Sequence, residues 1–593
     1  MKRIFTLIIG CLMTVLTYAQ FLGGGTGTES DPYRIYTLEH WNEFANEFNN
    51  DESAYGDFSG IHLRLMNDIS DTMSVVLRVS GTSFNGIIHG GGHSIILKPN
   101  DVDNEYHFIS NLGIDGIVDS LNFTGRSDIS FNLFGYNYGI IRHCTSNFDC
   151  SSFTPNDVWG GFATYNYGLI EYCKNYTEIP AGYFVGICGQ NWGVVDHCIN
   201  YADLTSKFNV ECSGITDMNA GGGVIRNCIN FGNMVSSSSI IGITRLNDFT
   251  MSSYYDSVNM HWVYDTLKSI VQNCINIGNI TTEEEAQGDF FSFIVGENDG
   301  SIVQNCFNAG NSFGKYTSSI SGEYCRSDIV AYNMRGAKTE TCLNIGNTGD
   351  FVGTLFDDDF ICNKNYYDKQ MCRSLSIGGE YVESIAGGRL TAQLTGDTPE
   401  LRAMLGDGWS YAEGRYPIPL GFENDSIVLR AATPIFLHAE SDDDYEHIDS
   451  VASHFTVSTA NGASWSTVSH NVEISGENAT LRYVGEETLK TRLNNLYEKR
   501  IHLNIVNVPV VAETSEMQDF DIFPNPVIDI LNITSSQTIS EIEIVNVMGQ
   551  VVRRIEVNAD NAVCDVEDLK SGVYVVKIHA ASTTLSQRRF VKE

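Results

Sequence analysis

Apolar residues in this chain recur neither every 3.6 positions, as on a helix, nor at every second position, as on a flat strand. Instead a branched apolar pair is followed by two variable residues and a cysteine. The copies read GIIRHCTSN around Cys144, GLIEYCKNY around Cys173, GVVDHCINY around Cys198, GVIRNCINFGN around Cys228, SIVQNCINIGN around Cys274, SIVQNCFNAGN around Cys306 and KTETCLNIGN around Cys342. An eighth, GIVDSLNFTG, carries Leu121 at the cysteine position. Most copies lie about 23 to 36 residues apart, the interval of stacked structural repeats.

Both the branched residue and the cysteine three positions later are apolar, so both are expected to point inward. A flat strand would send them to opposite faces, so the chain must bend between them. The residue before the cysteine is His143, Tyr172, His197, Asn227, Asn273, Asn305 or Thr341, and asparagine tolerates the left-handed conformation of a sharp bend. Repeats of this length bury an apolar face only by stacking. Stacking puts like residues in columns, with cysteine as a small buried hydrophobe and Asn175, Asn200, Asn230, Asn276, Asn308 and Asn344 as an amide ladder. The fold class expected is all-β: a right-handed parallel β-helix, a solenoid of short strands. Leu38, Trp41, Phe44, Ala45 and Phe48 share one helical face behind Thr37 as N-cap, which predicts a helix near 37–49 covering the open first coil.

The stretch from GTGTESDPYRIYTLEHWNEF to FNGIIHGGGHSI resembles the opening of secreted β-helix proteins of the pectate-lyase-like type, and the repeats resemble those called GLUG-like. Both resemblances speak for fold and not for activity.

The predicted order is a signal peptide at 1–19, the parallel β-helix at 20–374, a C-terminal cap of the solenoid at 375–430, a small Ig-like β-sandwich at 431–511 and a last domain at 512–593. The signal peptide is read from MKRIFTLIIGCLMTVLTYAQ, with cleavage between Ala19 and Gln20; its apolar run is too short to span a membrane. The sandwich is read from alternating runs such as NVEISG and KRIHLNIVNV, with Trp465 as a core candidate. The last domain carries Phe523-Pro524-Asn525-Pro526, a Gly549-Gln550 turn, Gly572 and Tyr574 in SGVY, and a terminal Arg588-Arg589-Phe590-Val591-Lys592. It resembles the type A C-terminal sorting domain of the type IX secretion system, also an Ig-like β-sandwich. That resemblance implies the type IX machinery as a partner and a secreted or outer-membrane cell-surface location. It also implies removal of the domain, often with attachment to surface lipopolysaccharide.

Charge narrows the partners further. With 36 Lys and Arg against 73 Asp and Glu, the 593-residue chain carries a net −37. That argues against nucleic acid and anionic lipid and is compatible with loosely held Ca²⁺, although plain solubility explains it as well. The acidic clusters Asp357-Asp358-Asp359 and Asp442-Asp443-Asp444 fall off the repeat register and read as solvated loops. No zinc motif, phosphate loop or nucleophile elbow occurs, so no catalytic residue, metal ligand or cofactor is assigned. Cys362 and Cys372, outside the repeat phrase, are candidates for a local disulfide.

One pattern points to a ligand. Asn137-Tyr138-Gly139, Asn166-Tyr167-Gly168 and Asn191-Trp192-Gly193 precede three consecutive phrases. If each asparagine turns inward, its neighbour faces out, lining Tyr138, Tyr167 and Trp192 along one edge as ring faces suited to sugars. The alternative is that these rings fill core or wedge a turn. A second candidate surface is the insertion with Tyr254, Tyr255 and Trp262. The leading expectation is a non-catalytic adhesin or glycan-binding scaffold recognising a glycan or host surface ligand. A carbohydrate-active enzyme (lyase or hydrolase) working in the solenoid groove and a structural surface-layer component are the alternatives.

Overall fold

The structure, a computed structural model, describes residues 21–505 and 520–592, apart from short stretches of which 98–106, 150–157, 283–289, 314–324, 370–375, 435–446 and 457–463 are the longest. The signal-peptide residues, Cys372 and the clusters at 357–358 and 442–444 lie outside the described residues. The described chain forms two compact units, residues 1–507 and 508–593.

The first unit is a parallel β-helix. Among the described residues two of its faces are parallel sheets of twelve strands each, running from Tyr33–Ile35 to Ile361–Asn363 and from Ile69–Met73 to Gly387–Arg389. A third face has two short strands per coil, and the long strand Cys325–Met334 pairs with both Phe290–Ser292 and Val295–Asp299 to join them into one sheet. Register keeps like above like. Ile141, Ile170, Val195, Ile225, Val271 and Val303 form one buried column, and the seven repeat cysteines, Cys144 to Cys342, form another, all fully buried.

The bend that makes both columns inward lies where the sequence places it. His143, Tyr172, His197, Asn227, Asn273, Asn305 and Thr341 have φ between 50° and 55°. Only three of these seven are asparagine, so the stacked coils hold histidine, tyrosine and even β-branched threonine in a conformation they otherwise avoid. The cysteines are free. Each thiol donates to the carbonyl two residues earlier, as Cys228 Sγ does to Arg226 O at 3.2 Å, and burial pushes the Cys228, Cys274 and Cys306 thiols far above the usual range.

Two continuous amide ladders run through the coil. From Asn175 through Asn200, Asn230, Asn276 and Asn308, each Nδ2 donates to the next Oδ1 up to Asn344 at 2.8–3.1 Å, and Asn344 closes the chain on buried Asp328 at 2.6 Å. The second ladder links Asn137, Asn166, Asn191, Asn219, Asn247, Asn298 and Asn333 at 2.7–2.9 Å. Every rung is fully or nearly fully buried, so each amide depends on its neighbours for the partner that water would otherwise supply.

The predicted helix spans Leu38–Phe48, with Thr37 accepting from His40 N. It buries Trp41, Phe44, Ala45 and Phe48, and Trp41 stacks on Phe108 of the coil at 5.2 Å. Cys362 is not outside the repeat pattern as expected. It continues the inward column after Thr339 and is a free thiol, which Asn333 meets at 3.6 Å.

The segment expected as the closing cap does two things. Gly387–Arg389 adds the last strand of a twelve-stranded face. Residues 390–432 then lie along the solenoid's flank instead of across its end: Leu401, Leu405, Trp409, Tyr416, Ile418 and Val428 share a core with Ile229, Ile275, Phe307 and Leu343. The reason is compositional, because the residue after the cysteine faces outward and is apolar in every one of these later coils.

Beyond the flank, residues 447–505 form a four-stranded and a three-stranded sheet. The second unit is one five-stranded, mainly antiparallel sheet. Its 17-residue strand Ile530–Asn546 meets Phe520–Phe523 with one half and Gly572–Ala580 with the other, with register shifts between. Bulges bend strands, and the two halves enclose Leu531, Ile533, Ile542, Ile544, Val576 and Phe590.

Candidate ligand-binding surface

Asn137, Asn166 and Asn191 turn inward, and the residue after each turns out. Tyr138 stacks on Tyr167 with centroids 5.0 Å apart and planes at 10°, and Tyr167 on Trp192 at 4.9 Å and 6°. Tyr136 and Tyr165 form a second row at 4.8 Å, and Tyr136 lies 6.5 Å from Tyr138. Tyr136, Tyr138 and Tyr167 are 41–44% exposed, so these tyrosines do not fill the core, while Trp192 is half-buried.

The expectation of ring faces presented to a sugar needs one correction. Rings repeating along the stacking axis cover one another's faces, and at the strand spacing of roughly 4.8 Å they touch by sliding into an offset stack. The strip therefore shows edges, hydroxyls and only part of each face. Its first ring differs. Asn137 pairs with Leu112, so Tyr138 stands above Gly113, which has no side chain to cover it. At the other end the strip stops at Gly221: a Cβ built there would come within 2.6 Å of Trp192 Cδ1 and 3.7 Å of Thr250 Oγ1.

Thr250 begins the insertion that formed the second candidate surface. Thr250–Asp256 and His261–Leu267 pair as an antiparallel hairpin, with Tyr255 opposite Trp262 and Tyr254 opposite Val263. The base of the hairpin thus adjoins the Trp192 end of the strip, and the two candidate sets are neighbours. The side chains of Tyr254, Tyr255 and Trp262 lie outside the described residues.

Sequence reasoning missed a second aromatic column. The left-handed residues before the cysteines point outward, and His143, Tyr172 and His197 stack at 5.3 and 4.7 Å. Beside them Tyr176, Tyr201 and Phe231 stack at 4.8 and 5.2 Å. The signal is present in the sequence, since three consecutive bends carry rings where the next three carry asparagine. Burial raises the Tyr201 hydroxyl to about 12, with Tyr176 and Asp425 adding to the effect.

Between the two aromatic columns runs the polar face of the strands at 140–142, 169–171 and 194–196. Arg142 pairs with Asp119 at 3.0 Å and Arg226 with Asp196 at 2.8 Å. Burial opposes ionisation of Asp119, but hydrogen bonds from Ser120, Arg142 and His143 outweigh it and hold the carboxyl below its usual range. Among the described residues no group of three His, Cys, Asp or Glu is placed to hold a metal ion.

Where the flank cover begins, it leaves a cleft of about 380 Å³. The coils contribute His143, Tyr172, Lys174, His197 and Ile199, and the cover contributes Phe422 and Asp425. The Asp425 carboxylate is already engaged, accepting from Ile427 N and Val428 N.

In the second unit the predicted sorting residues converge. Asn525 Oδ1 accepts from Val591 N at 2.8 Å, and its Nδ2 donates to Arg589 O at 3.2 Å. The Pro-Asn-Pro turn thereby fastens the terminal strand to the start of the domain. Arg588 lies over the Phe520 ring, and Tyr574 stacks on Phe590 at 5.7 Å. Gly572 pairs with Lys592, and Phe523 is exposed. Gly549 and Gln550 lie outside the described residues.

Comparison with known proteins fits this division. Residues 521–593 match the family model described as a secretion system C-terminal sorting domain. The protein is therefore secreted, by a route that hands this tail to the type IX machinery. No curated protein matches the chain. Among solved structures the chain is similar to a candidate immunoglobulin A1 protease from Bacteroides ovatus, at 15% identity and a TM-score of 0.28, over 46% of this chain and 87% of that one. A likeness that weak adds nothing to a fold already fixed by strand register. No described helix is long and apolar enough to cross a membrane.

Proposed function

We propose that this secreted β-helix protein is displayed at the cell surface as a glycan-binding scaffold. The observation that carries the reading is the strip of exposed Tyr136, Tyr138 and Tyr167 with half-buried Tyr165 and Trp192, held in register by a fully buried amide ladder. Exposed aromatic strips ask for a partner, and sugars meet tyrosine and tryptophan through apolar C–H groups and hydroxyls together. The rigid backbone beneath favours binding, because rings fixed before the ligand arrives lose little entropy on contact.

Attachment after export follows from the same reading. The sorting unit is cut away, and the mature chain is joined to surface lipopolysaccharide. The repeats belong with the GLUG-like type, with a glycan or a host surface structure as ligand. The test is a panel of polysaccharides offered to purified protein lacking residues 1–19 and 512–593, scored for both retention and cleavage. Retention without cleavage supports the scaffold; product release replaces it with a lyase or hydrolase. Deleting residues 515–593 in the native host is expected to hold the protein in the periplasm, and normal surface delivery of that truncation would defeat the export part.

A further inference from the structure

The cleft at the edge of the flank cover is separate from the tyrosine strip. The two aromatic columns lie at opposite ends of the same short strands: Tyr138 precedes Ile140–Arg142 and His143 follows it. We infer that this cleft is a second saccharide site and that it takes an acidic sugar, a pyranose bearing a carboxylate. This goes beyond the strip, since it concerns a different surface and a different ligand charge.

Three observations converge. The cleft has apolar walls, Ile199 and Phe422, beside the stacked rings of His143, Tyr172 and His197, and ligand pockets combine such walls with a few placed polar groups. Next, the Lys174 side chain has no hydrogen-bond or ion-pair partner among the described residues, although the chain carries 73 acidic residues. Lastly, Asp425, which lines the cleft, and the outward Asp119 and Asp196 of the neighbouring coils already have partners of their own. Asp425 caps the helix Ser426–Ala431, Asp119 holds Arg142 and His143, and Asp196 holds Arg226 and Asn227. A half-buried lysine without an ion-pair partner among the described residues, beside an apolar wall, matches a ligand that supplies one carboxylate and one apolar ring face.

The measurement is calorimetric titration of the protein lacking its sorting unit with oligosaccharides containing glucuronate, galacturonate or sialic acid, each beside a neutral counterpart. At least one acidic member is expected to bind tenfold or more tightly than its neutral counterpart. Lys174→Gln should abolish that preference, whereas Tyr138→Ala should leave it intact. Phe422→Ala should weaken acidic and neutral ligands alike, with an unchanged circular dichroism spectrum as the check on folding. The inference is overturned if no acidic member is preferred, or if the preference survives Lys174→Gln. Loss of all binding in Tyr138→Ala, with Lys174→Gln silent, would return the ligand to the strip alone and leave the scaffold reading standing.

Discussion

The two halves of one flank share a backbone and differ in fate. The residue after each cysteine runs Thr145, Lys174, Ile199, Ile229, Ile275, Phe307, Leu343, in parallel register throughout. From Ile229 onward every side chain is buried under residues 390–432. Before it the column is half-exposed and borders the cleft, with Tyr172 and Tyr176 in the open. The coil geometry is the same in both halves; polarity separates Thr145 and Lys174 from the covered coils, and apolar Ile199, partly buried against the cover, marks its edge. Interior ladders belong to the fold; the outward columns are where this molecule departs from its own repeat.

The sharpest break in that comparison is inside. Asn276 donates to Asn308 and to Gly278 O and accepts from Asn230. Asn276→Ala should cost about 3 to 6 kcal/mol, because buried partners on both sides lose their bonds at about 1 to 3 kcal/mol each. Urea unfolding measures it.

On the covered half of the flank, Phe307→Ala should cost about 3 to 5 kcal/mol as a large buried ring is lost. The equivalent change on the open half, Lys174→Ala, should stay within about 0.5 kcal/mol. Similar costs at the two positions would show that cover and exposure do not divide the flank.

Smaller again is the cysteine column. Cys228→Ser should destabilise by about 1 to 3 kcal/mol, since a hydroxyl is more costly than a thiol to bury without a well-placed partner. Cys228→Ala should cost less, leaving mainly a small cavity. Thiol counting in denaturant should find the seven repeat cysteines free, and fewer than about four free thiols in all would mean the coils are cross-linked.

What the sequence made legible follows from this division. Asn200, Asn230 and Cys228 repeat, and a repeated residue in a stacked coil has little choice of environment, so ladders, bends and the N-terminal helix could be read from spacing. The strip of Tyr138, Tyr167 and Trp192 was legible for the same reason, by its place beside repeating asparagines. The flank cover was not, because 390–432 has no repeat and its partners are spread over successive coils from Ile229 to Leu343. The cleft and Lys174 depend on that cover and were hidden with it. Ring orientation is not legible, because a column of letters gives the order of rings but not that each covers the next.

The central claim is that the strip binds and does not hold the fold. The direct measurement is Tyr138→Ala, Tyr167→Ala and Trp192→Ala combined, compared with the unaltered protein for melting temperature and for retention on the polysaccharide that the panel identifies. The account predicts a melting midpoint lowered by only a few degrees, since two offset stacks contribute about 0.5 to 1.5 kcal/mol each, together with loss of retention. Retention unchanged in a folded triple variant, or a collapse of the solenoid, would contradict it.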